Sequence, residues 1–180
     1  MILLDAAETV LGGFAPALSA RTQTHLISIG VEVQLAATVV GVDQSGLHVR
    51  NRDGTHRRIH SVCKIWAAGV AGNPLGAQLA EQTGAGVDRA GRVVVLEDLS
   101  LPSRPEVHVV GDMMARPHAP GIAQAAIQAA RHAADDIHGQ LKGGRPKGPW
   151  TYRDKGNMAA SSRFRAVAEV GRIRTLGFTA

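Results

Sequence analysis

Two turn signals set close together, Ser45-Gly46 and Asp53-Gly54, constrain this chain more than any other feature. Asp-Gly between short alternating runs is a strong hairpin signal, because both residues tolerate the positive φ that a tight connection needs. The pieces these turns separate, near residues 38–43, 47–51 and 56–61, are too short for helices and are expected as an antiparallel meander. The segments on either side differ in kind. Met1–Leu4 is an apolar, extended run ending at Asp5. A helix is expected from about Pro16 to Ile29, with Leu18, Leu26 and Ile29 on one face, Pro16 in the first turn and Gly30 as the C-terminal cap. Val31, Val33 and Leu35 alternate with Glu32 and Gln34, which is strand periodicity. Val62–Ala68 reads as a buried strand that breaks at Gly69.

Strand, helix, strand, meander and buried strand, in that order, form the second half of an α/β nucleotide-binding unit with a meander inserted. Beyond it, residues 74–83 are expected as a short helix closed by Gly84, and residues 92–96 and 107–110 as strands, the latter ending at Gly111-Asp112. A long helix is expected from about Gly121 to Leu141, just after Pro120. Lys142–Pro149, rich in Gly, Pro and Lys, has linker composition. Two strand-like pieces, near 164–170 and 172–178, finish the chain.

Composition removes several classes. Apolar residues make up 44% but aromatics only 3%, so the interior must be built from Val, Leu, Ile and Ala. The single cysteine, Cys63, excludes an internal disulfide; inside the apolar run 62–68 it is expected as a buried small hydrophobe. No stretch reaches the roughly 18 uncharged apolar residues of a spanning helix. The charge is uneven. Residues 142–180 carry nine Lys and Arg against two acids, a net of +7, so the rest is at −2 within a total of +5. A basic tail suits an anionic membrane surface or nucleic acid, or is simply solvated.

Asp5, at the end of the first apolar strand, stands where a dinucleotide-binding fold places a carboxylate on the adenosine ribose hydroxyls, which favours NADH over NADPH. Val107–Val110 is expected as a buried parallel strand delivering Gly111 and Asp112 at its carboxyl edge, where ligands bind in such sheets. Gly111 admits close backbone approach, and Asp112 offers a carboxylate to a ribose or polyol hydroxyl. The helix that follows would turn its amide end toward the same pocket. Gln124 and Gln128 lie four apart on one helix face, among small alanines. His56 and His60 are also four apart, but in a strand, where that spacing builds no ligand pair; no metal site is expected.

Ala123-Gln124-Ala125-Ala126-Ile127-Gln128 resembles the AQxxxQ element of type II, non-proton-pumping NADH:quinone oxidoreductases. Ile65–Val70, Val107–Asp112, and Tyr152–Ala159 continued by Arg163, Ala166–Ala168 and Gly171 resemble the same family, in family order, over essentially the whole chain. The resemblance implies an α/β, partial two-dinucleotide-binding (Rossmann-like) flavoprotein fold with a β-meander and a C-terminal α+β segment. It implies FAD and NADH as cofactors, a membrane quinone as electron acceptor, and peripheral association with the cytoplasmic face of the cell membrane. For a full-length member the resemblance allows a homodimer. By the same resemblance Asp5, Ala68 and Gly69 serve NADH, while Gly111, Asp112, Ala123 and Gln124 serve FAD. Gln124, Gln128 and Lys155 border the quinone. Residues 1–70 would belong to the NADH domain, 71–141 to the FAD domain and 142–180 to a basic membrane-facing segment.

The sequence departs from the family in three ways. Neither glycine-rich fingerprint occurs among its 180 residues, no C-terminal amphipathic helices follow Gly177-Phe178, and His108 stands where an aromatic is usual. The chain is therefore expected to lack the N-terminal half, which either belongs to the same protein outside these residues or is supplied by another chain, and to be inactive alone. The other expectation is a truncated, non-catalytic basic module that binds a membrane surface or another chain rather than nucleic acid.

Overall fold

A computed structural model describes residues 1–171 and 173–177. Strand β1 (Ile2–Leu4) leads through helix α1 (Pro16–Ser28) to β2 (Glu32–Gln34), and β1 and β2 pair in parallel, Leu3 opposite Val33. Parallel neighbours need a crossover connection, and α1 supplies it. Its inward residues are Leu18, Ser19 and Thr22, whose hydroxyls return to the backbone at Val10 and Leu18. Ile29 caps the helix and is exposed rather than facing the core, and Gly30 follows at φ +85°.

The meander forms as expected, with strands β3 (Thr38–Asp43), β4 (Gly46–Arg50) and β5 (His56–His60) in antiparallel order. Gly46 is obligatory at its turn, since a Cβ there would sit 2.2 Å from the Ile59 carbonyl oxygen. Asp43 locks the same turn by accepting from the Ser45 amide and hydroxyl and from Arg58. Those hydrogen bonds, the Ser45 amide first, hold its carboxyl far below the usual carboxylate range.

Val62–Ala68 does not form a strand. It is irregular and exposed, with Ile65 at 87% and Trp66 at 63%, and Cys63 is exposed as well. An apolar run becomes a strand only against a hydrogen-bonding neighbour, and none pairs with it among the described residues.

Helix α2 (Pro74–Thr83) is capped by the Asn73 side chain and closed by Gly84 in the left-handed conformation. Strands β6 (Val93–Val94), β7 (Ser100–Leu101), β8 (Arg104–His108) and β9 (Met114–Ala115) follow, with a 3-10 turn at Gly111–Met113 between the last two. Residues 107–110 do not form the buried parallel strand expected of them. Pro102-Ser103 leaves room only for a hairpin, so β8 pairs antiparallel with β7, and the parallel pair is β6 with β9. Helix α3 (Ala123–Leu141) comes next, then β10 (Asn157–Ser162), β11 (Arg165–Val170) and β12 (Ile173–Gly177) as an antiparallel sheet. The sequence reading missed β10. Of the expected strand 172–178, residues 172 and 178 lie outside the described residues.

The described chain divides into two compact units, residues 69–154 and residues 1–68 with 155–180. In the first, Val93, Leu99, Leu101, Val109, Met114, Ala125, Ala129 and Trp150 form the core. In the second, Val31, Ala37, Val49 and Val167 are buried. There the Glu169 carboxylate on β11 accepts from the Ala15 amide at 3.0 Å, serving a helix start that has no side-chain cap of its own.

Candidate functional site

Gly111 opens the 3-10 turn at φ +71°, a conformation that disfavours any residue with a Cβ. A Cβ on it would lie 3.6 Å from the Ala126 Cβ, so the turn packs on the first turns of α3 through a small-residue contact. Asp112 follows with its side chain exposed. The first turn of α3 receives no side-chain cap: Ile122 is the N-cap and offers only its backbone carbonyl, to the Ala125 and Ala126 amides. Ala123 and Gln124 occupy that turn, both exposed. One edge of residues 69–154 thus combines a left-handed glycine turn, an exposed carboxylate, a helix start without a side-chain cap at its positive dipole end, and the exposed Gln124 amide. Such an edge can accept hydroxyls and receive an anionic or electron-rich planar group.

Gln128, one turn further along α3, has its amide already engaged. Its Nε2 donates to the Arg153 carbonyl at 3.0 Å, and its Oε1 accepts from the Arg153 amide at 3.0 Å. Asp5 lies in the other unit at the end of β1, where Oδ1 accepts from the Ala7 amide at 2.9 Å, so it forms a local turn as well as offering a carboxylate oxygen. Ala68 and Gly69 are exposed, Ala68 in one unit and Gly69 in the other by sequence, with Gly69 at φ +99°. Lys155 is exposed.

The sequence reading overlooked one polar centre. His108 and Asp136 are buried together, their side chains 6% and 1% exposed, with His108 Nε2 3.3 Å from Asp136 Oδ2. Asp136 also accepts from the Lys147 amide and from Gln140 Nε2. Burial raises the Asp136 carboxyl, but these hydrogen bonds outweigh burial and hold it below the usual range. His108 Nδ1 is buried without a partner among the described residues. The available signal was spacing: Gln128, His132, Asp136 and Gln140 fall at every fourth residue of α3.

The family model described as pyridine nucleotide-disulphide oxidoreductase matches residues 1–133. The chain belongs to the pyridine nucleotide-disulphide oxidoreductase family. It is 50% identical over its full length to the type II NADH:quinone oxidoreductase Ndh of Mycobacterium tuberculosis, and 47% identical to NdhA of the same organism. It spans 39% of the length of each of these relatives. Among solved structures, NDH2 of Plasmodium falciparum in complex with NADH superposes with a TM-score of 0.82 at 14% identity, covering 98% of this chain and 51% of that one. The sulfide:quinone oxidoreductase of Aquifex aeolicus superposes at 0.74 and 12% identity, covering 99% and 46%. At such identities the superpositions speak to the fold, and they agree with the α/β dinucleotide-binding architecture expected from the sequence.

Two local observations at the Gly111 edge are compatible with a flavin there. A positive-φ glycine packs on α3 with nothing but an alanine methyl beneath it, and the helix start beside it has no side-chain cap.

Proposed function

We propose that this chain forms part of a flavin-dependent NADH dehydrogenase that delivers electrons to a membrane quinone. The observation that carries the reading is the edge built from Gly111, Asp112 and the uncapped start of α3, in a chain 50% identical to a type II NADH:quinone oxidoreductase. FAD, when bound, would supply the redox chemistry, hydride acceptance from NADH and two-electron reduction of the quinone to the quinol, with one proton drawn from solvent overall. Gly111 and Asp112 hold the ribityl and pyrophosphate region, Asp112 accepting from hydroxyls through charge-assisted bonds of about 1.5–3 kcal/mol each. Ala123 meets the ring with its small side chain and Gln124 with its amide, at the positive end of α3. Asp5 accepts from the adenosine ribose hydroxyls of NADH, and Ala68 and Gly69 lie toward the nicotinamide. Gln124, Gln128 and Lys155 border the quinone, where the Lys155 ammonium favours reduced, anionic species. Residues 1–70, 71–141 and 142–180 act as NADH-binding, FAD-binding and membrane-facing parts.

No GxGxxG fingerprint occurs in the sequence, so both nucleotides also require glycine-rich turns supplied by polypeptide outside these residues. The test is NADH:menadione oxidoreductase activity of the chain co-expressed with the remaining portion of the Mycobacterium tuberculosis relative. Activity should appear only in the pair and fall at least tenfold with Asp112→Ala. An active isolated chain, or an indifferent Asp112→Ala, would sink the assignment.

The basic segment supports peripheral attachment at the cytoplasmic face, since each Lys or Arg near an anionic surface contributes about 1 kcal/mol. Among the described residues no helix is long and apolar enough to cross a membrane. Salt-sensitive binding to phosphatidylserine vesicles, with no matching affinity for DNA, would support this attachment; salt-insensitive or DNA-selective binding would refute it.

A further inference from the structure

The segment from Lys142 to Asp154 has the composition of a linker, yet it is fastened along its length. Its prolines and glycines leave it outside any sheet, so its peptide groups need partners from elsewhere. Helix α3 supplies them from residues spaced four apart. Asp136 accepts from the Lys147 amide, His132 Nε2 lies 3.0 Å from the Gly148 carbonyl oxygen, and Gln128 takes both peptide groups of Arg153. Every-fourth-residue spacing places these side chains on one slowly drifting stripe, with about 6 Å of rise between neighbours. The strap runs antiparallel to the helix. Between Gly148 and Arg153 it dips into the core: Trp150 is 5% exposed, its amide donates to Glu97 O at 2.8 Å, and its carbonyl accepts from Arg116 Nη2 at 2.9 Å. Ala125, Ala129 and Ala133, a neighbouring stripe on the same helix, face the interior and let it approach closely.

Gln128 differs from the other fasteners. Its primary amide copies a peptide unit, accepting from the N–H and donating to the C=O of a single residue, as a paired strand would. We propose that Gln128 is a positioning residue. It pins Arg153 one helical turn from Gln124 and so fixes the edge at which Gln124 meets the quinone, rather than ligating the quinone itself. The proposal rests on the quinone reading of Gln124 given above. The side chain that reaches substrate is Gln124, and Gln128 acts through the strap.

Amide hydrogen exchange and NMR on the chain complemented by the remaining portion of the Mycobacterium tuberculosis relative test this, with menadione as the quinone probe. Gln128→Ala should accelerate exchange of the Arg153 amide by about tenfold and leave the Lys147 amide, held by Asp136, unchanged. Gln128→Glu keeps an acceptor for the Arg153 amide and should restore most of its protection. Asp136→Ala should release Lys147 first. In the parent chain menadione should shift the Gln124 side-chain amide signals more than those of Gln128. An unprotected Arg153 in the parent chain, or equal acceleration at Lys147 and Arg153 in Gln128→Ala, would overturn the clasp. A menadione shift centred on Gln128 would overturn its positioning role. A silent Gln124 with the Arg153 pattern intact would instead overturn the quinone reading beneath the proposal, so the two failures are told apart.

Discussion

The chain contains two tryptophans in neighbourhoods of opposite composition, and each ends where its composition would not place it. Trp66 lies in Ile65-Trp66-Ala67-Ala68, a run as apolar as any in the sequence, and is 63% exposed. Trp150 lies in a stretch rich in glycine, proline and lysine, and is 5% exposed. Burial here follows partners rather than local hydrophobicity. The 62–68 run has no strand to pair with among the described residues, whereas the strap around Trp150 is fastened by Asp136, His132, Arg116 and Gln128. Peptide groups that find hydrogen-bond partners can be carried inside, and those that do not stay in water whatever their side chains favour.

The largest expected effect breaks that comparison at its buried end. Trp150→Ala should destabilise residues 69–154 by about 3–5 kcal/mol, read from chemical denaturation; a loss under 1 kcal/mol would mean that the strap is not part of the core. Next comes Asp136→Ala, at about 3 kcal/mol, because it strands His108 and the Lys147 amide. Its pH dependence has a definite sign. The Asp136 carboxyl is held below its ordinary value of 3.8, so its contribution is complete above that value and is lost as pH falls through the lowered one. Asp136→Asn should therefore flatten the acid limb of a stability-versus-pH curve, and an unchanged limb would remove Asp136 from the account of acid sensitivity.

Gly111→Ala should cost about 1–2 kcal/mol in thermal or chemical unfolding, from the left-handed backbone alone, since the Cβ has ordinary room against Ala126. A neutral result would mean that the turn relaxes out of positive φ. The smallest effect sharpens the exposed end: Trp66→Ala should change stability by no more than about 0.5 kcal/mol. In the parent chain Cys63 should react with a thiol reagent at the rate of a free thiol, and slow labelling would show that the 62–68 segment is covered.

How much of this was legible follows the same division. Local signals read correctly: the hairpin turns at Ser45-Gly46 and Asp53-Gly54, the crossover helix after Pro16, the Gly84 stop, and the long helix α3 all depend on residues near in sequence. The failures at Val62–Ala68 and Val107–Val110 share a cause. Apolar periodicity states that a run could be a buried strand, but its neighbour and direction are set elsewhere, by the partner in one case and by the Pro102-Ser103 hairpin in the other. At the candidate site, Gly111, Asp112 and Gln124 stand at the edge of one turn and one helix start, as a short-range motif allows. The engagement of Gln128 was not legible, because its partner lies at Arg153, beyond the end of α3. Nor was the buried His108–Asp136 pair, though the four-residue spacing along α3 was in plain view.

The flavin edge is tested most directly by the visible absorption of protein purified after expression with and without the remaining portion of the Mycobacterium tuberculosis relative. The complemented pair should retain FAD near one per chain and lose most of it with Asp112→Ala, while the isolated chain should be colourless. Stoichiometric FAD on the isolated chain, or a complemented pair whose flavin content ignores Asp112→Ala, would contradict a shared site completed by glycine-rich turns from outside these residues.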